Sequence, residues 1–206
     1  MSEAAVSVRD LLVSYGSTVV FDGFELAAGK GAATCLTGEN GTGKSTLLRC
    51  VAGLQAPDAG TVDVFDERPG RSVEFWRAVA TTVENPSWYH GLTVREHAEL
   101  IRMANGADPG DGVIDELFES LGLTEVADGA PLNLSSGQRQ RLMLAAVLVR
   151  PSRLLILDEP EQRLDTTIKR TVADLLRRYV TDGGTLLMAS HDPAFADEVG
   201  GDRVAL

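Results

Sequence analysis

One stretch decides the fold of this chain: Gly38-Glu39-Asn40-Gly41-Thr42-Gly43-Lys44-Ser45. It fits the pattern G-x-x-x-x-G-K-[ST], follows the β-capable run 32–37 and precedes a helix that we predict over residues 44–51. Its glycines allow the backbone to turn so that successive N–H groups, together with the helix N-terminus, point at one anion. The Lys44 ammonium and the Ser45 hydroxyl suit a polyphosphate and its Mg²⁺ ion. The stretch therefore predicts a nucleotide-phosphate site after a strand.

Two adjacent carboxylates follow a buried strand farther along the chain. The run 154–157 is continuously apolar, as is typical of a parallel strand covered on both faces, and Asp158-Glu159 comes directly after it. A second apolar run, 186–189, ends at Ser190-His191. Because strands alternate with helical patterns, we predict a mainly parallel sheet whose carboxyl edge carries these polar residues. At that edge Asp158 can hold Mg²⁺; a plain surface turn is the alternative, and it leaves the pairing with the phosphate loop unexplained.

A third segment, Leu134-Ser135-Ser136-Gly137-Gln138, precedes a helix that we expect to start near Gly137 and to run to Leu148. Ser135 or Ser136 is the expected N-cap of that helix. A helix N-terminus with hydroxyl groups and a glycine backbone is also a good phosphate receptor. Capping alone is the simpler interpretation of this segment.

In this order the three segments resemble the nucleotide-binding domain of ABC ATPases. The commonest form of the third segment in that family is L-S-G-G-Q, and Ser136 stands here in place of the first glycine. The resemblance covers essentially the whole chain and implies a single ABC ATPase domain, 1–206. Its fold class would be α/β of the P-loop NTPase type: a mixed, mainly parallel sheet, antiparallel strands near the N-terminus and a helical subdomain. We expect residues 1–83 and 151–206 to form the nucleotide-binding core, and 84–150 the Q-loop and the helical subdomain.

The resemblance also implies which residues form the site. Those expected to bind ATP are Tyr15, whose ring would stack on adenine, and Gly38, Glu39, Asn40, Gly41, Thr42, Gly43, Lys44, Ser45 and Thr46. Those expected in catalysis are Glu159, which would polarise the attacking water, His191, Lys44 and Glu84. The expected metal ligands are Ser45, Glu84 and Asp158. An exposed turn tyrosine at Tyr15 and a structural histidine at His191 remain the alternatives.

Two further segments belong to the same resemblance. The signature segment, residues 134–138, would contact the γ-phosphate of ATP held by a second subunit, and Leu164-Asp165 matches the D-loop. The residues before the D-loop, 161–163, are unusual for the family. Glu84 is a further departure, because the family's Q-loop normally has glutamine there. We hypothesise that Glu84 still binds the metal and that its charge slows hydrolysis or tightens Mg²⁺ dependence.

The composition limits the partners. The net charge of −11 argues against a nucleic-acid partner and against direct binding to anionic membranes. No apolar run reaches the ~20 residues of a membrane helix, and the acidic, small first residues lead us to expect no targeting segment. Cys35 and Cys50 are expected to be reduced core residues. We therefore expect a cytoplasmic protein, peripheral at the cytoplasmic face of the cell membrane.

These expectations combine into one function. The chain would be a Mg²⁺-dependent ATPase, with ATP and Mg²⁺ as cofactors, that powers an ABC transporter. It would work as a head-to-tail dimer with a second ATPase subunit, most simply as a homodimer, docked on an integral membrane permease subunit. The region 85–90, with Trp88 and Tyr89, would offer an aromatic docking surface; core packing of these rings is the alternative. Two other functions stay open: a soluble ABC protein acting on nucleic acid, and a nucleotide-gated switch with little turnover.

Overall fold

The computed structural model of the chain describes residues 3–83 and 87–206. Strands and helices alternate after an N-terminal hairpin. In chain order the elements are β1 (Ala4–Tyr15), β2 (Thr18–Gly29), β3 (Ala33–Thr37), α1 (Lys44–Val51), β4 (Ala59–Val64), α2 (Val73–Ala78), β5 (Val79–Thr81), α3 (Val94–Ala104), α4 (Val113–Ser120), α5 (Ser136–Leu148), β6 (Leu154–Asp158), α6 (Thr166–Thr181), β7 (Thr185–Ala189), α7 (Pro193–Val199) and β8 (Asp202–Ala205). Short 3₁₀ turns span Thr124–Val126 and Pro131–Asn133.

The strands form two sheets. An antiparallel sheet has the order β2-β1-β4, and a five-stranded sheet has the order β5-β6-β7-β3-β8 with every neighbour parallel. The predicted fold class, a mainly parallel sheet with antiparallel strands near the N-terminus and added helices, is confirmed. The edge strands β5 and β8 were not predicted, because three or four residues carry too little pattern to be recognised without the neighbour they pair with.

The parallel sheet separates two apolar cores. Alternate side chains of a strand point to opposite faces, so Leu155 and Leu157 of β6 face the helices α3 to α7, whereas Leu154 and Ile156 face α1 and the antiparallel sheet. All four side chains are buried. A strand covered on both faces is apolar throughout, and this explains the unbroken run from which β6 was predicted. The sheet thereby gives β3, β6 and β7 a rigid common edge.

The cysteines lie one on each side of this sheet. Cys35 and Cys50 are buried and free, as predicted. Burial raises the pKa of each thiol to about 11, so both stay protonated at neutral pH and act as small apolar side chains. Among the described residues, no helix combines the length and the apolar character needed to cross a membrane.

Candidate functional site

The predicted phosphate loop connects β3 to α1 at the carboxyl edge of the parallel sheet. Gly38, Gly41 and Gly43 have φ angles of 144°, 88° and 104°, in the region that side chains disfavour. A Cβ atom added to Gly43 would lie 2.7 Å from both Phe21 Cζ and Val20 Cγ1. Glycine is therefore required at residue 43 both by the backbone angle and by the packing of the loop against β2.

Lys44 begins α1 with its ammonium folded over the loop. Its Nζ atom donates hydrogen bonds to the carbonyl oxygens of Gly38 and Glu39, each at 2.7 Å, and the side chain is only 6% exposed. The Thr42 hydroxyl also donates to the Glu39 oxygen, at 3.0 Å. A positive charge, the backbone of a glycine-rich loop and a helix N-terminus thus converge on one place, which is the arrangement that binds a phosphate anion.

A cavity of about 290 Å³ opens beside this loop. It brings most of the predicted ATP-binding residues together with one of the predicted carboxylates. Its lining residues are Tyr15, Val20, Asn40, Gly41, Gly43, Lys44, Ser45, Thr46 and Glu159. Gly38, Glu39 and Thr42 do not line the cavity but shape the loop that does.

Asp158 ends β6 next to the start of α1. Its backbone N–H donates to the Thr82 hydroxyl at 3.1 Å, and its carboxylate lies beside the Ser45 hydroxyl. Burial raises the pKa of Asp158, and the neighbouring Glu159 adds to that rise, while Ser45, Lys44 and Arg49 oppose it. A hydroxyl and a carboxylate side by side supply the oxygen donors that Mg²⁺ prefers, so these residues fit that ion. The third predicted ligand, Glu84, lies outside the described residues.

Glu159 has a strained backbone. Its φ angle is +47°, which is rare for a residue with a side chain, and its N–H donates to Ala189 O of β7 at 2.9 Å. Its Oε2 atom accepts a hydrogen bond of 2.8 Å from Gln162 Nε2. The Nδ1 atom of His191, which follows β7, lies 3.4 Å from Glu159 Oε1. The structure therefore brings the predicted catalytic pair together, with Gln162 as an additional neighbour that the sequence did not single out.

Tyr15 lies at the end of β1 with half of its side chain exposed. Its hydroxyl donates a 2.7 Å hydrogen bond to Gln55 Oε1, in the loop after α1. This bond holds the ring at the mouth of the cavity near the phosphate loop. Sequence reasoning missed Gln55, because nothing in a single sequence shows that residues forty positions apart meet.

The signature segment has a defined local structure. The Ser135 hydroxyl accepts from Gln138 N at 3.2 Å, and Gln138 Oε1 accepts from Ser135 N at 2.8 Å, so the two residues form a capping box at the start of α5. Leu134 is buried and anchors the segment, while Ser135 and Ser136 are exposed. Within the described ranges, no residue of 134–138 lines the cavity at the phosphate loop.

The D-loop turn lies next to the signature segment. A Cβ atom on Gly137 would lie 3.2 Å from Arg163 O. Leu164 packs against the helical core, and Asp165 caps α6 by accepting from Ile168 N at 3.0 Å. Both predicted segments are thus adjacent surfaces of one chain, away from the cavity that the same chain forms.

Fold and site together define an α/β protein of the P-loop nucleotide-binding class. A family model described as "ABC transporter" matches residues 21–162. The chain belongs to this family.

Its relatives include subunits named for different transport systems. The sulfate/thiosulfate import ATP-binding protein CysA of Mycolicibacterium paratuberculosis is 34% identical over 99% of this chain and 57% of its own length. The arginine transport ATP-binding protein ArgV of Corynebacterium glutamicum is 31% identical over 97% of this chain and 85% of its own length. The cytochrome c biogenesis ATP-binding export protein CcmA of Rhodopseudomonas palustris is 34% identical over 91% of this chain and 92% of its own length. The chain thus spans little more than half of CysA but most of ArgV and CcmA.

Solved structures repeat the same architecture. The ATP binding subunit of an ABC transporter superposes with a TM-score of 0.86 at 26% identity, covering 98% of this chain and 85% of the other. The dimeric ATP-binding cassette MJ0796, bound to ADP and Pi, superposes with a TM-score of 0.85 at 23% identity, over 98% of this chain and 94% of the other. At that identity the likeness supports the fold alone.

Proposed function

We propose that this chain is the ATP-binding and ATP-hydrolysing subunit of an ABC transporter, working as a head-to-tail dimer on a separate membrane subunit. The observation that carries this proposal is the convergence of Lys44, Ser45, Asp158, Glu159 and His191 at one edge of the parallel sheet. The names of its relatives, which are ATP-binding proteins of import and export systems, support the same function.

Different groups of the chain bind the phosphates and the metal ion. Backbone N–H groups of the glycine-rich loop and the Lys44 ammonium bind the phosphate oxygens of ATP. Ser45 and Asp158 would hold Mg²⁺, which when bound would offset the negative charge of the β- and γ-phosphates. Their side chains lie next to each other at the start of α1 and the end of β6.

Glu159 and His191 act on the reacting end of the nucleotide. Within residues 3–83 and 87–206, Glu159 is the only carboxylate that lines the cavity, and it orients and polarises the attacking water. The His191 Nδ1 atom faces the carboxylates, so the Nε2 atom points to the opposite side of the ring and is available to the γ-phosphate. The strained backbone of Glu159 fixes this pairing through the bond to β7.

The adenine base is expected to stack on Tyr15, with Gln55 holding the ring. Tyr15→Ala should weaken ATP binding about tenfold, because base–aromatic stacking is worth about 1–3 kcal/mol. Gln55→Ala and Tyr15→Phe should each weaken it about threefold, and together no further, because both remove the same hydrogen bond. Calorimetry with ATP measures these losses. Inorganic tripolyphosphate, which has no base, serves as the control, and an equal loss of its affinity would contradict the stacking.

The signature segment completes a site on a second chain. Its exposed serines and the N-terminus of α5 form a phosphate receptor that the described part of this chain's own cavity does not use. Placing it against the nucleotide of a partner buries ATP between two chains. Hydrolysis would then require the dimer.

A charge placed in the signature segment tests this arrangement. Gly137→Asp should leave ATP affinity within about twofold, because residue 137 does not line the cavity, but should abolish ATP-driven dimerisation by like-charge repulsion with phosphate. Size-exclusion chromatography with and without ATP reads this out. The matched control, Gly129→Asp, adds the same charge at an exposed position outside the signature segment. A dimer that forms normally in Gly137→Asp would refute the head-to-tail contact.

The membrane subunit is expected to dock in a groove between α3 and α5. The groove has a volume of about 530 Å³ and is lined by Tyr89, Leu100, Met143, Ala146 and Arg150 among others. Tyr89 is 67% exposed, whereas Trp88 is half-buried and packs edge-on against His97, with the ring centroids 5.3 Å apart. Of the two aromatics, Tyr89 therefore fits the docking surface and Trp88 fits the alternative of core packing. The docked chain would lie at the cytoplasmic face of the membrane.

A charged side chain placed in this groove should weaken membrane docking without changing ATP turnover. Leu100→Glu is expected to lower the fraction of the chain recovered with membranes about tenfold, because an unpaired carboxylate would be buried in the contact, with the ATP turnover of the purified chain unchanged. Leu132→Glu, at another exposed apolar position outside the groove, is the matched control. Equal membrane recovery of Leu100→Glu and the unmodified chain would exclude this groove as the docking surface.

A further inference from the structure

Glu161 is a buried acid for which the roles above give no use. Its side chain is 1% exposed, and its Oε1 atom accepts a 2.5 Å hydrogen bond from the Ser190 hydroxyl. Its Oε2 atom is buried without a hydrogen-bond partner among the described residues. It lies between Glu159 and the predicted D-loop pair, Leu164-Asp165.

A buried acid with an unpartnered oxygen destabilises the folded state. An unpartnered buried oxygen loses its hydration without a replacement bond, and an apolar side chain of similar size would avoid that cost. The Glu161 carbonyl oxygen has an ordinary partner in the same turn, since it accepts from Leu164 N at 3.4 Å. The backbone therefore gives no reason for an acid at this position, and a reason must come from what the carboxylate touches.

The carboxylate touches the turn that carries His191. Ser190, which donates to Glu161, directly precedes His191, and its hydroxyl also accepts from Asp192 N at 3.1 Å. Asp192 in turn pairs with Lys169 at 2.8 Å. The His191 Nδ1 atom lies 3.9 Å from Glu161 Oε1 and 3.4 Å from Glu159 Oε1. One imidazole nitrogen thus has two carboxylates within reach, one on the cavity and one in the core.

We propose that Glu161 is a positioning residue for His191. It anchors the 190–192 turn through Ser190, and it offers Nδ1 a second acceptor. When Glu159 turns to the attacking water, the Nδ1–H bond passes to Glu161 and the ring keeps its orientation, with Nε2 toward the γ-phosphate. Its Oε1 atom, which lies 3.9 Å from Nδ1, has a second lone pair for that bond beside the one that accepts from Ser190. This inference rests on the proposed hydrolytic function of Glu159 and His191.

Glu161→Gln tests the positioning role with almost no change of shape. It keeps an oxygen for Ser190 but replaces the carboxylate beside Nδ1 with a neutral amide, which is a weaker acceptor. We expect kcat for ATP to fall about tenfold, since small misplacements of a catalytic group are costly, with KM unchanged within about twofold. The thermal unfolding midpoint should change little, because glutamine has the shape of glutamate and keeps the oxygen that accepts from Ser190. A lowered midpoint together with equal losses in kcat and binding would show a merely structural residue.

A double-mutant cycle identifies the partner through which Glu161 acts. In the His191→Ala background, Glu161→Gln should lower kcat no further. The same tenfold loss in that background would overturn the proposal. Glu125→Gln, an exposed acid in the helical part of the chain, controls for the change of charge and should have no effect in either background.

A second readout does not depend on hydrolysis. In the ¹⁵N-histidine spectrum, Glu161→Gln should move the Nδ1 resonance of His191 and leave those of His90 and His97 in place. An unmoved His191 resonance would overturn the positioning role even if ATP is hydrolysed. A moved resonance in a chain that hydrolyses no ATP would instead support the contact while refuting the proposed hydrolytic function.

Discussion

Glu159→Gln is expected to lower ATP turnover by at least about 100-fold while leaving ATP affinity unchanged. Glutamine has the shape of glutamate but cannot accept a proton from water, and positioned general bases contribute about 10²–10⁴-fold to rate. The phosphate loop, Lys44 and Ser45 are untouched, so the nucleotide should still bind. Steady-state phosphate release and equilibrium ATP binding measure the two quantities separately.

The same variant should trap the dimer. If ATP closes two chains and hydrolysis reopens them, a chain that binds without hydrolysing accumulates as an ATP-bound dimer, visible by light scattering. Glu67→Gln, an exposed glutamate after β4, is the control and should behave like the unmodified chain. A Glu159→Gln protein that hydrolyses ATP at the normal rate would exclude Glu159 as the base.

Lys44→Ala is expected to raise the Kd for ATP about 100-fold, equivalent to about 2.8 kcal/mol of binding free energy. The lost interaction is a charge-assisted contact in a partly buried position, where an ammonium interacts with phosphate more strongly than in water. Fluorescent-nucleotide titration measures the change, and calorimetry confirms it.

Lys44 also holds the loop itself, through its bonds to the Gly38 and Glu39 carbonyls. The unfolding midpoint of Lys44→Ala therefore has to be measured beside the affinity, so that loss of the fold is distinguished from loss of the charge. Lys30→Ala removes an ammonium that pairs with Glu3 and should leave Kd unchanged. A folded Lys44→Ala chain with normal ATP affinity would refute the predicted phosphate site.

Local signals predicted the elements that carry the site. The helix expected over 44–51 is α1, and the helix expected from Gly137 to Leu148 is α5, which begins one residue earlier at Ser136. These predictions succeeded because glycine φ angles, helix caps and unbroken apolar runs are properties of short stretches of chain. The run 154–157 is the clearest example, since a strand covered on both faces favours apolar residues throughout.

Contacts between distant segments were not predictable from one sequence. Gln55 meets Tyr15 through a side-chain hydrogen bond that no local pattern encodes. Trp88 and Tyr89 are neighbours of the same chemical kind and both contact His97 of α3, yet only Trp88 packs against the core, whereas Tyr89 is exposed. The catalytic and metal-binding roles of the site residues stay predictions, Glu84 included.

The central claim is that ATP is hydrolysed in a site shared by two copies of the chain, with Glu159 as the base. The most direct measurement is Mg²⁺-dependent ATP hydrolysis per chain over a wide range of protein concentration, for the unmodified chain and for Glu159→Gln. The predicted result is a specific activity that rises with concentration to a plateau and is absent from Glu159→Gln throughout. An activity per chain that is independent of concentration, one that survives in Glu159→Gln, or no hydrolysis at any concentration would contradict the claim.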